Sequence, residues 1–159
     1  MLHIGKQNHL KVSRKTHNGY FLIDDEKSDE VFMPNDFAPL NTNHGHELDV
    51  FIYPDTQGDL VATSELPYAQ VGEYALLDVV EVQDFGAFFD WGISKDLLVP
   101  GNEQKIKVRK FESHIVRICK EDGTGRLFGT TKLGQFIEGS NFDITEGDEV
   151  EAQVAQQSE

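Results

Sequence analysis

The stretch Asp84–Pro100 reads DFGAFFDWGISKDLLVP and decides how the rest of the chain is read. Four aromatic residues, Phe85, Phe88, Phe89 and Trp91, surround Gly86 and Gly92, and the stretch ends in the apolar run Leu97-Leu98-Val99. A regular strand sends residues i and i+3 to opposite faces. A bulge at Gly86 resets that count, turning Phe85 and Phe88 to one face and Ala87, Phe89 and Trp91 to the other. The pattern therefore predicts one core face and one aromatic platform. A small barrel also needs bulky interior residues, so the alternative, in which Phe85 or Phe88 fills the core, stays open at this point.

The same pattern occurs earlier in the chain. Gly5, Gly19, Phe21, Asp55, Gly58, Thr63 and Leu66 each have an identical residue 67 positions later, at Gly72, Gly86, Phe88, Asp122, Gly125, Thr130 and Leu133. Val31-Phe32-Met33-Pro34 meets Leu97-Leu98-Val99-Pro100 after 66, a one-residue slip that a loop absorbs. One offset held across glycines, turn residues and strand ends marks two tandem copies of one unit. Within the first copy, apolar alternation and turn residues place strands at Leu10–Arg14, Tyr20–Ile23, Val31–Met33, Leu48–Tyr53 and Leu60–Thr63. No amphipathic helix of four turns is present. The expected fold is all-β, with two tandem five-stranded β-barrels: residues 1–67 form the first, 71–137 the second, and 138–159 a linker followed by the opening strand of a third unit, Glu146–Val154.

Composition narrows the function classes. The chain of 159 residues carries 14 Lys and Arg against 28 Asp and Glu, a formal charge of −14, which opposes non-specific binding to nucleic acid or anionic membranes. The charge is uneven. Residues 1–70 hold 5 basic and 11 acidic side chains, 71–139 hold 9 and 11, and 140–159 hold 0 and 6, so the second unit is close to neutral. A single cysteine, Cys119, rules out an intrachain disulfide and suits a reducing compartment. With no signal-like or membrane-length apolar run, the sequence reads as a soluble cytoplasmic protein without membrane contact.

Glycine-led first strands, the FGAF segment and five strands in about 65 residues resemble the S1 RNA-binding domain, an OB-fold barrel. More narrowly, Gly5-Lys6-Gln7-Asn8, Leu10-Lys11-Val12, Val50-Phe51-Ile52-Tyr53, Asp90-Trp91-Gly92, Lys95-Asp96-Leu97-Leu98-Val99-Pro100 and Lys132-Leu133 resemble the conserved virulence factor B (YitL-like) family. That resemblance implies tandem S1 domains followed by a winged helix, RNA binding with regulatory consequences, and no known catalysis. It maps the RNA-facing aromatics onto Phe85 and Phe88 and a basic contact onto Arg126. Pro34 and Pro100 stand where many S1 domains place a histidine, and Asn18 stands where the first ring is expected in the first unit.

The residues themselves fill out the candidate site. Lys105-Ile106-Lys107-Val108-Arg109-Lys110 alternates basic and apolar residues, so an extended chain shows Lys105, Lys107 and Arg109 on one face with Ile106 and Val108 anchored beneath. The plain alternative is a solvated loop that offsets local acids. Lys95, Arg117 and Lys132 are weaker members of the same group, and Phe21 is the first unit's candidate. The histidines His3, His9, His17, His44 and His46 lack metal-ligand spacing, the acidic run Asp24–Glu30 lacks the calcium-loop glycine and reads as a solvated hairpin loop, and no nucleophile elbow or phosphate loop occurs. Cys119 falls in a strand as an inert thiol. The expectation is a non-enzymatic binder of single-stranded RNA with low sequence specificity, with no cofactor and no metal. Two other readings stand beside it: a protein module that docks on the transcription or translation machinery, and the N-terminal part of a DNA-binding regulator.

Overall fold

The computed structural model describes residues 1–134, so the expected third-unit strand lies outside the described residues. The strands are β1 (Gln7–Lys15), β2 (Gly19–Ile23), β3 (Glu30–Pro34), β4 (Glu47–Pro54) and β5 (Leu60–Thr63), then β6 (Tyr74–Gln83), β7 (Gly86–Asp90), β8 (Leu97–Pro100), β9 (Ser113–Lys120) and β10 (Leu127–Thr130). Two short 3₁₀ segments, Asn35–Phe37 and Gly101–Glu103, each come directly after the proline that ends a third strand. The fold is all-β, and the chain divides into two compact units. One comprises Met1–Val71 with Gly92–Ser94 and Lys120–Leu127, and the other Gly72–Trp91, Lys95–Cys119 and the described residues from Phe128 on.

In the first unit the strand order β1-β2-β3-β5-β4 closes into a barrel, with β3 and β5 joined by a parallel bridge, Phe32 to Val61. Alternation along β1 sends Asn8, Leu10 and Val12 inward, where the two apolar residues meet Leu22, Val31, Met33, Val50, Ile52 and Ala62. The second unit repeats this arrangement as a sheet in the order β10-β9-β6-β7-β8. Its buried residues include Leu77, Val79, Ala87, Phe89, Trp91, Leu97, Val99, Val108, Val116 and Ile118. Here β8 and β10 are not joined by a ladder. They approach through side chains, since a Cβ at Gly129 of β10 would lie 2.9 Å from both Leu97 Cδ2 and Val99 Cγ2 of β8.

The bulge is not at Gly86. It falls in the partner strand, where the β6–β7 register slips between Val79 and Glu81, and the first unit has the same slip between Val12 and Arg14. Gly86 itself pairs regularly with Gln83 and Pro100. The faces are as expected for another reason: Asp84 and Phe85 form a two-residue turn outside the strand, so alternation starts afresh at Ala87. Ala87, Phe89 and Trp91 are then buried, and Phe88 faces outward. Gly86 is required by close approach, because a Cβ there would lie 2.6 Å from the Val99 carbonyl oxygen and 2.9 Å from Pro100 Cα. Gly19 is held in the same way, 2.3 Å from the Met33 carbonyl oxygen.

In the acidic loop Asp24–Glu30 residues 25–30 are exposed, as expected of a solvated hairpin loop, but Asp24 is not. Asp24 is buried and its carboxylate accepts the Ser28 and Asp29 N–H groups and the Ser28 hydroxyl, with the Met1 amino group beside it. These donors, the amino group first, hold the carboxyl well below the usual range. Cys119 lies in β9 half-buried, and burial pushes its thiol up.

Gly86→Ala should destabilise the second unit by about 1–3 kcal/mol, because the atoms in the way are backbone and cannot swing aside. Gly101→Ala, in the same unit and with only the Phe85 carbonyl oxygen near its Cβ, at 3.8 Å, is the comparison and carries no such clash. Urea unfolding followed by the fluorescence of Trp91, the chain's only tryptophan, reads the second unit directly.

Candidate functional site

The turn that lifts Phe85 out of the sheet leaves its ring 60% exposed. It meets the half-buried Phe88 ring edge-on, with centroids 5.9 Å apart and planes at 82°. The turn is anchored from the next strand, as Gly101 N–H donates to the Phe85 carbonyl at 3.0 Å. Phe85 and Phe88 therefore form one outward aromatic surface on β7, backed by the buried Ala87 and Phe89.

Across the β6–β7 pair, Phe88 stands opposite Glu81. On the other side of Glu81 runs the loop 104–112, and a shallow depression is lined by Glu81, Val82, Lys107 and Arg109 together with Ile106 and Val108. Lys110 Nζ lies 3.6 Å from Glu81 Oε1. The loop is not the alternating strand that the sequence suggests. Val108 is buried, but Ile106 is 65% exposed, because the chain here follows bends and side-chain bonds instead of a ladder: Val108 N–H donates to Gln104 Oε1 at 3.0 Å and Arg109 N–H to Glu112 Oε1 at 2.9 Å.

The remaining candidates are dispersed. Lys105 lies at the far end of the loop, its N–H donating to Thr131 Oγ1 at 2.9 Å, which brings it near Lys132 just beyond β10. Lys95 is exposed in the β7–β8 connection, where its carbonyl accepts the buried Trp91 Nε1–H at 2.7 Å. Arg126 is exposed in the β9–β10 turn, with its carbonyl accepting Glu121 N–H, and no described contact joins it to the ring pair. Arg117 does not belong to the ring site. It pairs with Tyr74 across β6–β9, its Nη1 donating to the Tyr74 hydroxyl at 3.2 Å, and Tyr74 lies seven residues along β6 from Glu81, roughly 20 Å at the rise of a strand.

In the first unit Phe21 also has a partner ring, but not from the turn at Asn18. Phe32 of β3 stands beside it at 5.1 Å, and the Arg14 guanidinium of β1 lies 3.8 Å over the Phe21 ring. Cross-strand register aligns these three, Arg14 with Phe21 and Phe21 with Phe32. Arg14 was missed because its outward direction depends on the bulge beside it. Phe32 was missed because a short apolar run does not reveal which of its residues faces out.

Elsewhere on the first unit's surface, His9 of β1 is clasped by two acids of β4. Its Nε2 lies 2.7 Å from Glu47 Oε1 and its Nδ1 2.8 Å from Asp49 Oδ1. Glu47 first and Asp49 second raise the imidazole's pKa, and His9 in turn lowers that of Glu47. Among the described residues no group of three or more His, Cys, Asp or Glu is placed to hold a metal ion, and no helix is long and apolar enough to cross a membrane.

Two five-stranded units of one strand order, each with a ring on the outer face of its second strand, define a tandem OB-fold protein. Residues 4–65 match the family model described as S1 domain. The chain is similar to the virulence factor B and YitL-like S1 proteins. It is 40% identical over 96 residues to the uncharacterized protein YitL of Bacillus subtilis, covering 60% of this chain and 32% of that one. It is 31% identical over 97 residues to conserved virulence factor B of Staphylococcus epidermidis, covering 59% and 33%. The chain thus spans about a third of the length of the curated relatives it matches. Among solved structures, a multidomain protein with nucleic acid binding domains from Streptococcus pneumoniae superposes with a TM-score of 0.65 at 17% identity, over 86% of this chain and 48% of that chain, a likeness of fold.

The clasp at His9 sets a pH dependence. A raised folded pKa gives a contribution that is complete below the unfolded value of about 6.5 and is lost as pH rises through the folded one. The lowered Glu47 acts with opposite sign, contributing above its ordinary 4.5 and lost as pH falls through its folded value. Amide exchange along β1 should therefore be slower at pH 6 than at pH 8 after correction for intrinsic rates, and His9→Gln should abolish that difference.

Proposed function

We propose that this chain binds single-stranded RNA with low sequence specificity, chiefly through its second unit, as part of a non-catalytic regulator. The observation that carries this reading is the Phe85–Phe88 pair, an exposed ring braced edge-on by a second ring. An aromatic face stacks on any base, contributing roughly 1–3 kcal/mol per base without a sequence code. Lys107, Arg109 and Lys110 in the adjoining loop supply cations for the phosphates, with Lys110 shared with Glu81. The S1 match and the nucleic acid binding domains named for the S. pneumoniae neighbour support the same class of ligand.

In the first unit Arg14 already covers a face of Phe21, so a base must displace or stack on the guanidinium. That makes Phe21 and Phe32 a secondary surface. A second reading, a docking module for a protein partner such as a component of the transcription or translation machinery, is favoured by the charge of −14.

Fluorescence anisotropy with a short oligouridylate at low salt tests the proposal. The Phe85→Ala, Phe88→Ala double variant should lose tenfold or more in affinity, the effect of about one stacked base. The plot of log K against log salt should have a slope of about −2, as expected for three phosphate contacts on a single strand. Equal affinity in wild type and double variant refutes the ring platform, and absence of binding in both leaves the docking module as the reading of this chain.

A further inference from the structure

Phe111 combines two unfavourable features. Its φ is +76°, in the left-handed region that suits glycine, and its ring is 83% exposed. The first unit shows that the backbone, not the ring, demands this conformation. There Gly45 N–H donates to the Val12 carbonyl, Val12 N–H donates to the His46 carbonyl, and Gly45 has φ +86°. In the second unit Phe111 N–H donates to the Val79 carbonyl at 2.9 Å and Val79 N–H to the Glu112 carbonyl at 2.8 Å. The two turns are the same clamp beside the same bulge, with glycine in one and phenylalanine in the other. A side chain is not needed there for packing, since a Cβ at Gly45 would meet open space. Phe111 thus bears a backbone strain that glycine would remove, and it gains little burial in return.

What the substitution achieves is display of a ring on a rigid turn. Besides the two bonds to Val79, Glu112 N–H donates to the Arg109 carbonyl at 3.1 Å, and the Glu112 carboxylate accepts Arg109 N–H at 2.9 Å while bonding His114 Nε2 at 2.9 Å. Around the ring are cations: Lys110 Nζ lies 5.3 Å from its centroid, and Lys107 and Arg109 belong to the same loop. Only β6 separates this loop from β7 and the Phe85–Phe88 pair.

Resting on the proposed RNA reading, we infer that Phe111 is a further stacking ring, which receives a base of the same single strand after it leaves Phe85 and Phe88 and passes the Lys107–Lys110 loop. The separation, about two inter-strand spacings of 4.8 Å plus side-chain reach, is short beside the roughly 4–16 nucleotides that an OB fold occupies. Strain at Phe111 is then retained because the ring is pre-placed for its ligand.

The test uses the 159-residue chain, a ten-nucleotide oligouridylate, and three variants: Phe111→Gly, Phe111→Leu and the Phe85→Ala, Phe88→Ala pair. Phe111→Gly should raise the midpoint of urea unfolding read at Trp91, yet weaken binding about five- to tenfold. Phe111→Leu, which keeps apolar bulk but has no π face, should weaken binding to a similar degree. If Phe111→Gly and Phe111→Leu bind like wild type while the double variant loses affinity, the third ring is refuted and the ring-pair reading stands. If Phe111→Leu alone keeps wild-type affinity, or Phe111→Gly unfolds more readily than wild type, the stacking assignment is overturned. If the double variant binds like wild type, the RNA reading fails with it.

Discussion

Both units depend on the extra residue in their long first strand. At Ser13 in β1 and Val80 in β6 the ladder to the second strand slips by one, and a two-against-one bulge of this kind coils the strand and changes which residues face out. The strand pairs with β2 or β7 on both sides of the bulge, but with β4 or β9 only before it. The residue next to the bulge is clamped by the loop that precedes the fourth strand, Val12 by Gly45 and His46, Val79 by Phe111 and Glu112. The bulge thus fixes three things at once: curvature of the sheet, the outward aim of Arg14 or Glu81, and a left-handed turn beside it.

That dependence explains what the sequence does and does not reveal. The repeat of 67 is visible because the constrained positions are glycines and turn residues, such as Gly19 and Gly86 against the third strand's backbone, or Thr63 and Thr130, which accept an N–H two residues on. The inward set Ala87, Phe89 and Trp91 is readable from period two alone. The bulge is not readable, because Ser13 and Val80 share no special residue type. Attributing the reset to Gly86 gives the right faces for Phe85 and Phe88 by a wrong cause, and it leaves Arg14 without an assigned direction. The basic loop misleads for a related reason. Alternation of Lys and Ile from 105 to 110 has the period of a strand, but Gln104 and Glu112 take up its N–H groups, so Ile106 turns outward while Val108 does not.

The two units share a frame and differ on its outer face. Where the first has Arg14 over Phe21 with Phe32 alongside, the second has Glu81 opposite Phe88 with Leu98 alongside. Where the first has Asn18 and Gly45, the second has Phe85 and Phe111. The second unit thus keeps Phe88 on the sheet and adds rings at the two turns at its margins. Rings on turns are more exposed: Phe85 is 60% and Phe111 83% exposed, whereas Phe21 in β2 is half-buried.

The overall charge of −14 does not contradict an anionic ligand at this surface, because attraction is set within a screening length, about 10 Å at 0.1 M salt. Six of the acids lie in residues 140–159, and the second unit holds 9 basic residues against 11 acidic ones in 71–139. Near the rings stand Asp84 in the turn, Glu81 in β6 and Glu112 next to Phe111; the Glu112 carboxylate is bonded to Arg109 N–H and His114 Nε2, and Glu81 already has Lys110 at 3.6 Å. A surface ion pair of that kind stabilises little, so Lys110 can exchange Glu81 for a phosphate at small cost. The balance is nearly even, which favours a surface where stacking supplies most of the affinity and charge only guides the backbone. On a surface of that kind the number of rings sets the affinity, and a strained phenylalanine becomes worth keeping.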